Sequence, residues 1–333
     1  MTRHIRTYIF LCLATIAFAS CEKPDEPVTL PPIPEGVELK EIPMGETYDR
    51  QIFYNLQTGQ QFVADMNQWD LQFESGPNGR MVMMNGGREV LAANSGKTAF
   101  GQVSAAQLAW HWDRTSGHPD SIFLSRCYGT HPNDTVYVID RGARVAESER
   151  YFQIKFIHVD ANKYKIEIAD INGNNAKIIT IPKDHQKLHV YFTYTNGGTA
   201  LNFEPYIQDW HFCFKRYRWV YYEYSPPLLY TVVGVYINPH KVEVAVDSSM
   251  AFNDITQYHA LQMTFSSKQD IIGFEWKWPD FTASGVRYIC RKNWNYIIRE
   301  KSPEHPVYKM RFIDFYNDQG IKGYPNFELK RIN

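Results

Sequence analysis

The chain states one pattern twice. Phe53-Tyr54-Asn55-Leu56-Gln57-Thr58-Gly59 leads into Gln68-Trp69-Asp70-Leu71-Gln72-Phe73, and Phe192-Thr193-Tyr194-Thr195-Asn196-Gly197 leads into Asp209-Trp210-His211-Phe212-Cys213-Phe214. Each block then reaches an Ala-Phe pair, Ala99-Phe100 and Ala251-Phe252. Each closes on two strand-like runs: Tyr137 to Arg141 before Tyr151 to Ile157, and Tyr296 to Glu300 before Val307 to Ile313. Landmarks repeated in one order predict a two-copy architecture.

The periodicity says what the copies are made of. Lys163-Tyr164-Lys165-Ile166-Glu167-Ile168 and Lys241-Val242-Glu243-Val244-Ala245-Val246 alternate with period two, the signature of strands with one buried face. Turns at Asn78-Gly79, Gly86-Gly87, Asn172-Gly173 and Asn196-Gly197-Gly198 separate the strands. No sustained helical stripe is present; Val103 to Trp112 has room for a turn or two. The prediction is an all-β chain with two tandem antiparallel β-sandwich-like domains, at 45–185 and 186–333. The second copy differs mainly in its loops, with an insertion around Tyr221 to Pro227 and a Trp-rich stretch at Trp276, Trp278 and Trp294.

The first residues read as an export signal. Arg3 and Arg6 precede an apolar run from Tyr8 to Ala19, too short to span a bilayer, and small residues lead to Cys21. Residues 1–20 are thus expected to be removed. The Phe18-Ala19-Ser20-Cys21 sequence resembles a lipobox, which implies lipidation of Cys21 and a membrane anchor. Residues 21–44 follow as a charged, Pro-rich tether (Pro24, Pro27, Pro31, Pro32, Pro34, Pro43). The acidic residues after Cys21 resemble a surface-export signal, which implies the outer membrane, facing the exterior. Cys127, Cys213 and Cys290 show no metal spacing and cannot all pair, and Cys213 reads as a small packing residue. A net charge of −1 gives no basic field for nucleic acid.

The order of landmarks resembles the HmuY family of haem-binding lipoproteins. The first copy carries Asn67-Gln68-Trp69-Asp70-Leu71-Gln72-Phe73, Met84-Asn85-Gly86-Gly87, Phe100 to Val103 and Tyr137-Val138-Ile139; the second keeps Trp210, Phe252 and Tyr296 to Arg299 but has His211 for Asp70 and no Asn-Gly-Gly turn. The resemblance implies a hand-like β-sandwich that captures haem outside the cell and passes it to an outer-membrane transporter. It also implies axial ligation of iron by two His or two Met from loops, in an apolar slot.

In the first copy the corresponding loop holds His111, His118 and His131. These are the candidate haem-binding residues, with His111 and His131 as the iron-ligand pair. An ordinary surface or turn role is the alternative for each. Met81, Met83 and Met84 offer thioethers, although alternation on a strand favours packing. His158, His185, His189 and His305 fall outside that loop and read as structural, His240 as a turn residue, and His211 as facing the more polar side of its strand. Trp69 and Trp210 read as core anchors. No Gly-x-Ser-x-Gly, His-Glu-x-x-His or phosphate loop is present, so no enzyme is expected. The rival reading is a surface binding or adhesion module, or an accessory subunit of a nutrient-uptake complex, that keeps the fold without ligating iron.

Overall fold

A computed structural model describes residues 35–128, 135–282 and 285–333. The signal, Cys21, most of the tether and His131 lie outside the described residues.

In chain order the strands are β1 (Glu38–Glu41), β2 (Arg50–Tyr54), β3 (Gln61–Asp65), β4 (Leu71–Glu74), β5 (Val82–Met84), β6 (Leu91–Asn94), β7 (Tyr137–Asp140), β8 (Tyr151–Val159), β9 (Lys163–Asp170) and β10 (Lys177–Pro182). They continue as β11 (His189–Thr193), β12 (Thr199–Leu201), β13 (Phe212–Tyr221), β14 (Leu228–Ile237), β15 (Val242–Asp247), β16 (Lys277–Thr282), β17 (Gly285–Cys290), β18 (Asn295–Glu300), β19 (Val307–Tyr316) and β20 (Lys322–Arg331). Among the described residues helix is confined to short turns, including a 3-10 turn at Ala105–Gln107 and α1 (Gln257–Ala260).

The ladders are antiparallel, and two sandwiches result. In the first, the sheet β10-β9-β8-β7-β6 covers β12-β11-β4-β5; in the second, β1-β20-β19-β18-β15 covers β14-β13-β2-β3. Alternation along the strands explains both cores. Leu71, Phe73, Val82, Val190 and Phe192 point one way and meet Ile139, Phe152 and Ile154. Ile52, Tyr54, Phe212, Phe214 and Val235 meet Tyr296, Met310 and Phe312 across the second sandwich. Trp276 belongs to that core, stacked on Phe312 at 4.0 Å between ring centres. Trp278 keeps 39% of its surface exposed.

The hairpins are exchanged. β2–β3 precedes β4 in the chain yet pairs with β13 in the second sandwich, while β11–β12 pairs with β4 in the first. A cut at 185/186 would separate each hairpin from the sheet that it hydrogen-bonds. The two ladders also align the landmarks. Leu71 lies opposite Phe192 and Phe212 opposite Tyr54, so Tyr54 is the counterpart of Phe192. The sequence pattern had set Phe53 against Phe192. That one-residue shift matters, because a slip of one reverses which side chains face the core.

The same correspondence holds in detail. Trp69 packs edge-on against Tyr191 and Trp210 against Phe53, both with ring centres 5.1 Å apart. The Asn85 side chain donates to the carbonyls of Met66 and Trp69, and that of Asn238 to those of Ile207 and Trp210. The Asn-Gly-Gly turn of the first copy has a separate cause. A Cβ at Gly87 would sit 2.3 Å from the Arg216 carbonyl oxygen, so the turn can lie against β13 only without a side chain there.

Two buried latches fasten the exchanged hairpins. In the first sandwich, Asp70 accepts from Arg141 Nε at 3.0 Å, from Arg88 at 2.8 Å and from the Tyr194 backbone N–H at 2.7 Å; Arg141 also donates to Thr195 Oγ1. In the second, His211 takes the place of Asp70 and Glu300 that of Arg141. His211 Nε2 lies 3.1 Å from Glu300 Oε1, with the pair poorly aligned for a hydrogen bond. Nδ1 of His211 accepts from Leu56 N–H, and Gln57 donates to Glu300. His211 is fully buried rather than on a polar side, because its strand begins one residue later, at Phe212.

Candidate functional site

The side chains that point away from both cores make the candidate site. From the first sandwich these are Gln72 and Glu74 on β4, Met83 on β5, and His189 and Tyr191 on β11; from the second they are Gln51 and Phe53 on β2, Cys213 and Lys215 on β13, and Tyr236 on β14. They line one cleft of about 730 Å3 between the two inner sheets. Phe203 packs against both the Trp69–Tyr191 cluster and the Phe53–Trp210 cluster, joining the sheets beside the cleft.

The most organised feature of the cleft is centred on Glu204, which is 1% exposed. Its carboxylate accepts from the backbone N–H groups of Leu188 and His189, from the Tyr191 hydroxyl in a very short bond, and lies 3.1 Å from His189 Nδ1. With Nδ1 turned to the Glu204 carboxylate, Nε2 is the ring nitrogen left without a protein partner among the described residues. A carboxylate behind a histidine is the arrangement that fixes tautomer and orientation in metal-ligating imidazoles. Met83 contributes a thioether from β5, the edge of the same sheet that carries His189, with Sδ 3.4 Å from Gln72 Nε2. His185 and His240 also line the cleft; His185 Nε2 is held by the Ala161 carbonyl at 2.7 Å.

The two described loop histidines lie elsewhere. His111 forms a backbone bridge to Ala92 at the edge of β6, and its exposed ring stacks on Phe123 at 4.2 Å. His118 is exposed and caps the 3-10 turn at Pro119–Ser121, its Nδ1 accepting from the Asp120 N–H. Neither lines the cleft, although the neighbouring Ser116 and Gly117 do. His131 lies outside the described residues, so the expected His111–His131 pair has no observed geometry.

That loop is nevertheless tied to both sandwiches. Asp113 accepts from the Met84 and Phe123 N–H groups at 2.7 and 2.9 Å. Burial pushes its carboxyl up to about 7, opposed by those two N–H groups and by Arg218. Thr115 donates to Asp270 at 2.6 Å and accepts at its carbonyl from Gln269, closing one end of the cleft.

His189 was the residue that sequence reasoning missed. The period-two alternation of β11 put it on the face opposite Val190, but assigning that strand to the second copy set it apart from Met83 and the first-copy loop. Among the described residues no group of three His, Cys, Asp or Glu side chains forms a metal cluster. An axially ligated macrocycle does not require one.

Comparison with known proteins gives one strong match. The family model described as HmuY protein covers residues 47–329 as a single stretch spanning both sandwiches. Among solved structures, one described as an HmuY-like heme binding protein from Bacteroides vulgatus is 8% identical, covers 88% of this chain and 91% of its own, and has a TM-score of 0.23. Apo PinO from Porphyromonas gingivitis is 10% identical over 89% of this chain and 97% of its own, with a TM-score of 0.24. A Bacteroides fragilis chain described as a lipoprotein is 16% identical over 54% of this chain and 95% of its own, at 0.23. Scores this low add nothing to the family match. The chain matches no curated protein sequence.

Proposed function

The chain belongs to the HmuY family of non-enzymatic haem-binding proteins, and from that premise we propose that it binds haem or a related tetrapyrrole in the cleft between its inner sheets. The observation that carries this reading is His189, whose Nε2 is left free in the cleft while Glu204 holds Nδ1. The cleft fits the demands of the ligand. Its volume lies in the range of small-molecule sites, Phe53, Met83, Trp210 and Tyr236 supply apolar walls, and an imidazole and a thioether are both present. Bound haem would supply the iron that His189 ligates. The chain itself orients the imidazole, through Glu204, and excludes water, through the aromatic walls. His111, His118 and His131 are the competing ligand set.

Cys21 carries lipid, the Pro-rich tether holds the body off the outer membrane, and captured haem passes to an outer-membrane transporter. The two sandwiches derive from an internal duplication in which each copy has given its first hairpin to the other. The matched latches and the matched Asn85 and Asn238 side chains support that origin.

Absorbance titration of the full chain with haemin tests the binding. A saturable Soret shift is expected; a weak, featureless response would sink the proposal and favour an adhesion or accessory role.

A further inference from the structure

Lys215 is the least explained residue of the cleft. It is 9% exposed, its ammonium lies over the Tyr236 ring at 4.3 Å, and among the described residues no hydrogen bond or salt bridge holds it. Burial lowers its proton affinity, with Cys213 and Glu204 acting weakly the other way. Neither neighbour makes a direct ion pair with it. Burial pushes the Cys213 thiol up to about 12, so it is neutral. Glu204 is taken up by His189, Tyr191 and two backbone N–H groups. Glu74, the other carboxylate lining the cleft, accepts from the N–H groups of Arg80 and Met81.

The Lys215 stem is buried while its ammonium borders the cleft, and a cation in so poorly hydrated a place gains from an added negative charge. The lining also holds Lys187 and Lys268, so the cleft has more cations than available acids. Around Lys215 the walls are apolar and aromatic: Phe53, Trp210, Cys213 and Tyr236. That combination fits a ligand with a flat apolar body and an anionic edge.

We propose that Lys215 receives a carboxylate of the cleft's ligand, which for a tetrapyrrole is a propionate. The assignment rests on the reading that the cleft is the tetrapyrrole site, and it makes the cleft selective for the acid form. Lys215 would act as a positioning and specificity residue, separate from His189, which addresses the metal.

The test uses the full chain and two metal-free probes, protoporphyrin IX and its dimethyl ester, followed by quenching of tryptophan fluorescence. The wild type is expected to bind the acid at least about tenfold more tightly than the ester. Lys215→Met should erase that preference by weakening the acid while leaving the ester unchanged. The acid–ester comparison in the wild type needs no variant, so it decides even if Lys215→Met folds poorly. Equal wild-type binding of both forms, or an unchanged preference in a folded Lys215→Met, overturns the carboxylate subsite and leaves the tetrapyrrole reading standing. Failure of the wild type to bind either porphyrin overturns both.

Discussion

The two latches occupy matching places and are built from opposite chemistry. In the first sandwich an acid on the inner sheet, Asp70, meets arginines from Arg88 and Arg141; in the second a histidine, His211, meets an acid from the outer sheet, Glu300. Both bind the backbone of an exchanged hairpin, at Tyr194 and at Leu56. The two latches thus share a geometry and differ in the sign of the charge on the inner sheet. One consequence is that the first latch contains arginines, charged at any ordinary pH, whereas the second contains a histidine, whose burial opposes its charged form.

The largest expected effect breaks the first latch. Asp70→Ala removes the common acceptor of two buried arginines and should cost about 3–5 kcal/mol, measured by urea denaturation. A loss below about 1 kcal/mol would mean that the latch does not hold the sandwich. Next in size is Gly87→Ala. Its Cβ would meet the Arg216 carbonyl at 2.3 Å, so a loss of about 1–3 kcal/mol is expected. Wild-type stability there would show that the turn can lift from β13 freely.

The second latch should show itself through pH. Burial lowers the proton affinity of His211 in the folded chain, and Nδ1 cannot take a proton without losing the Leu56 N–H. Unfolded His binds protons near pH 6.5. Below that value the unfolded state holds more protons than the folded one, so stability falls as pH falls and levels off below the folded-state pKa. The slope is at most one proton, about 1.4 kcal/mol per pH unit. Asp113, raised to about 7, acts with the opposite sign, since the folded state holds its proton longer. The His211 contribution is therefore read as the difference between wild type and His211→Gln. Parallel stability–pH curves for the two would remove the histidine from the account.

Much of this comparison was legible in the chain, and its limits have physical causes. Alternation of apolar residues located the strands; Trp69 and Trp210 are buried as their repetition suggested, but in the small clusters with Tyr191 and Phe53 rather than in either sandwich core. Repetition could not say which hairpin pairs with which sheet, because local alternation is the same whether β2 adds to β4 or to β13. That ambiguity hid the site. His189 and Gln51 face one cleft from opposite sheets only after the exchange, and Lys215 acquires its isolation only when the sheets close over it. Similarly, the Asn-Gly-Gly turn was visible as a turn, but its glycine is required by the approach of a strand far away in sequence. His111 was a candidate for its place in the loop between Phe100 and Tyr137, yet its ring stacks on Phe123 and does not line the cleft.

The central claim is that the cleft between the inner sheets, and not the loop after Phe100, ligates the ligand's iron. Haemin titration of the wild type beside His189→Ala, His111→Ala and His118→Ala tests it most directly. The account predicts that His189→Ala alone changes the position of the Soret band and weakens binding. A wild-type spectrum in His189→Ala, with the band lost in His111→Ala or His118→Ala, would contradict it.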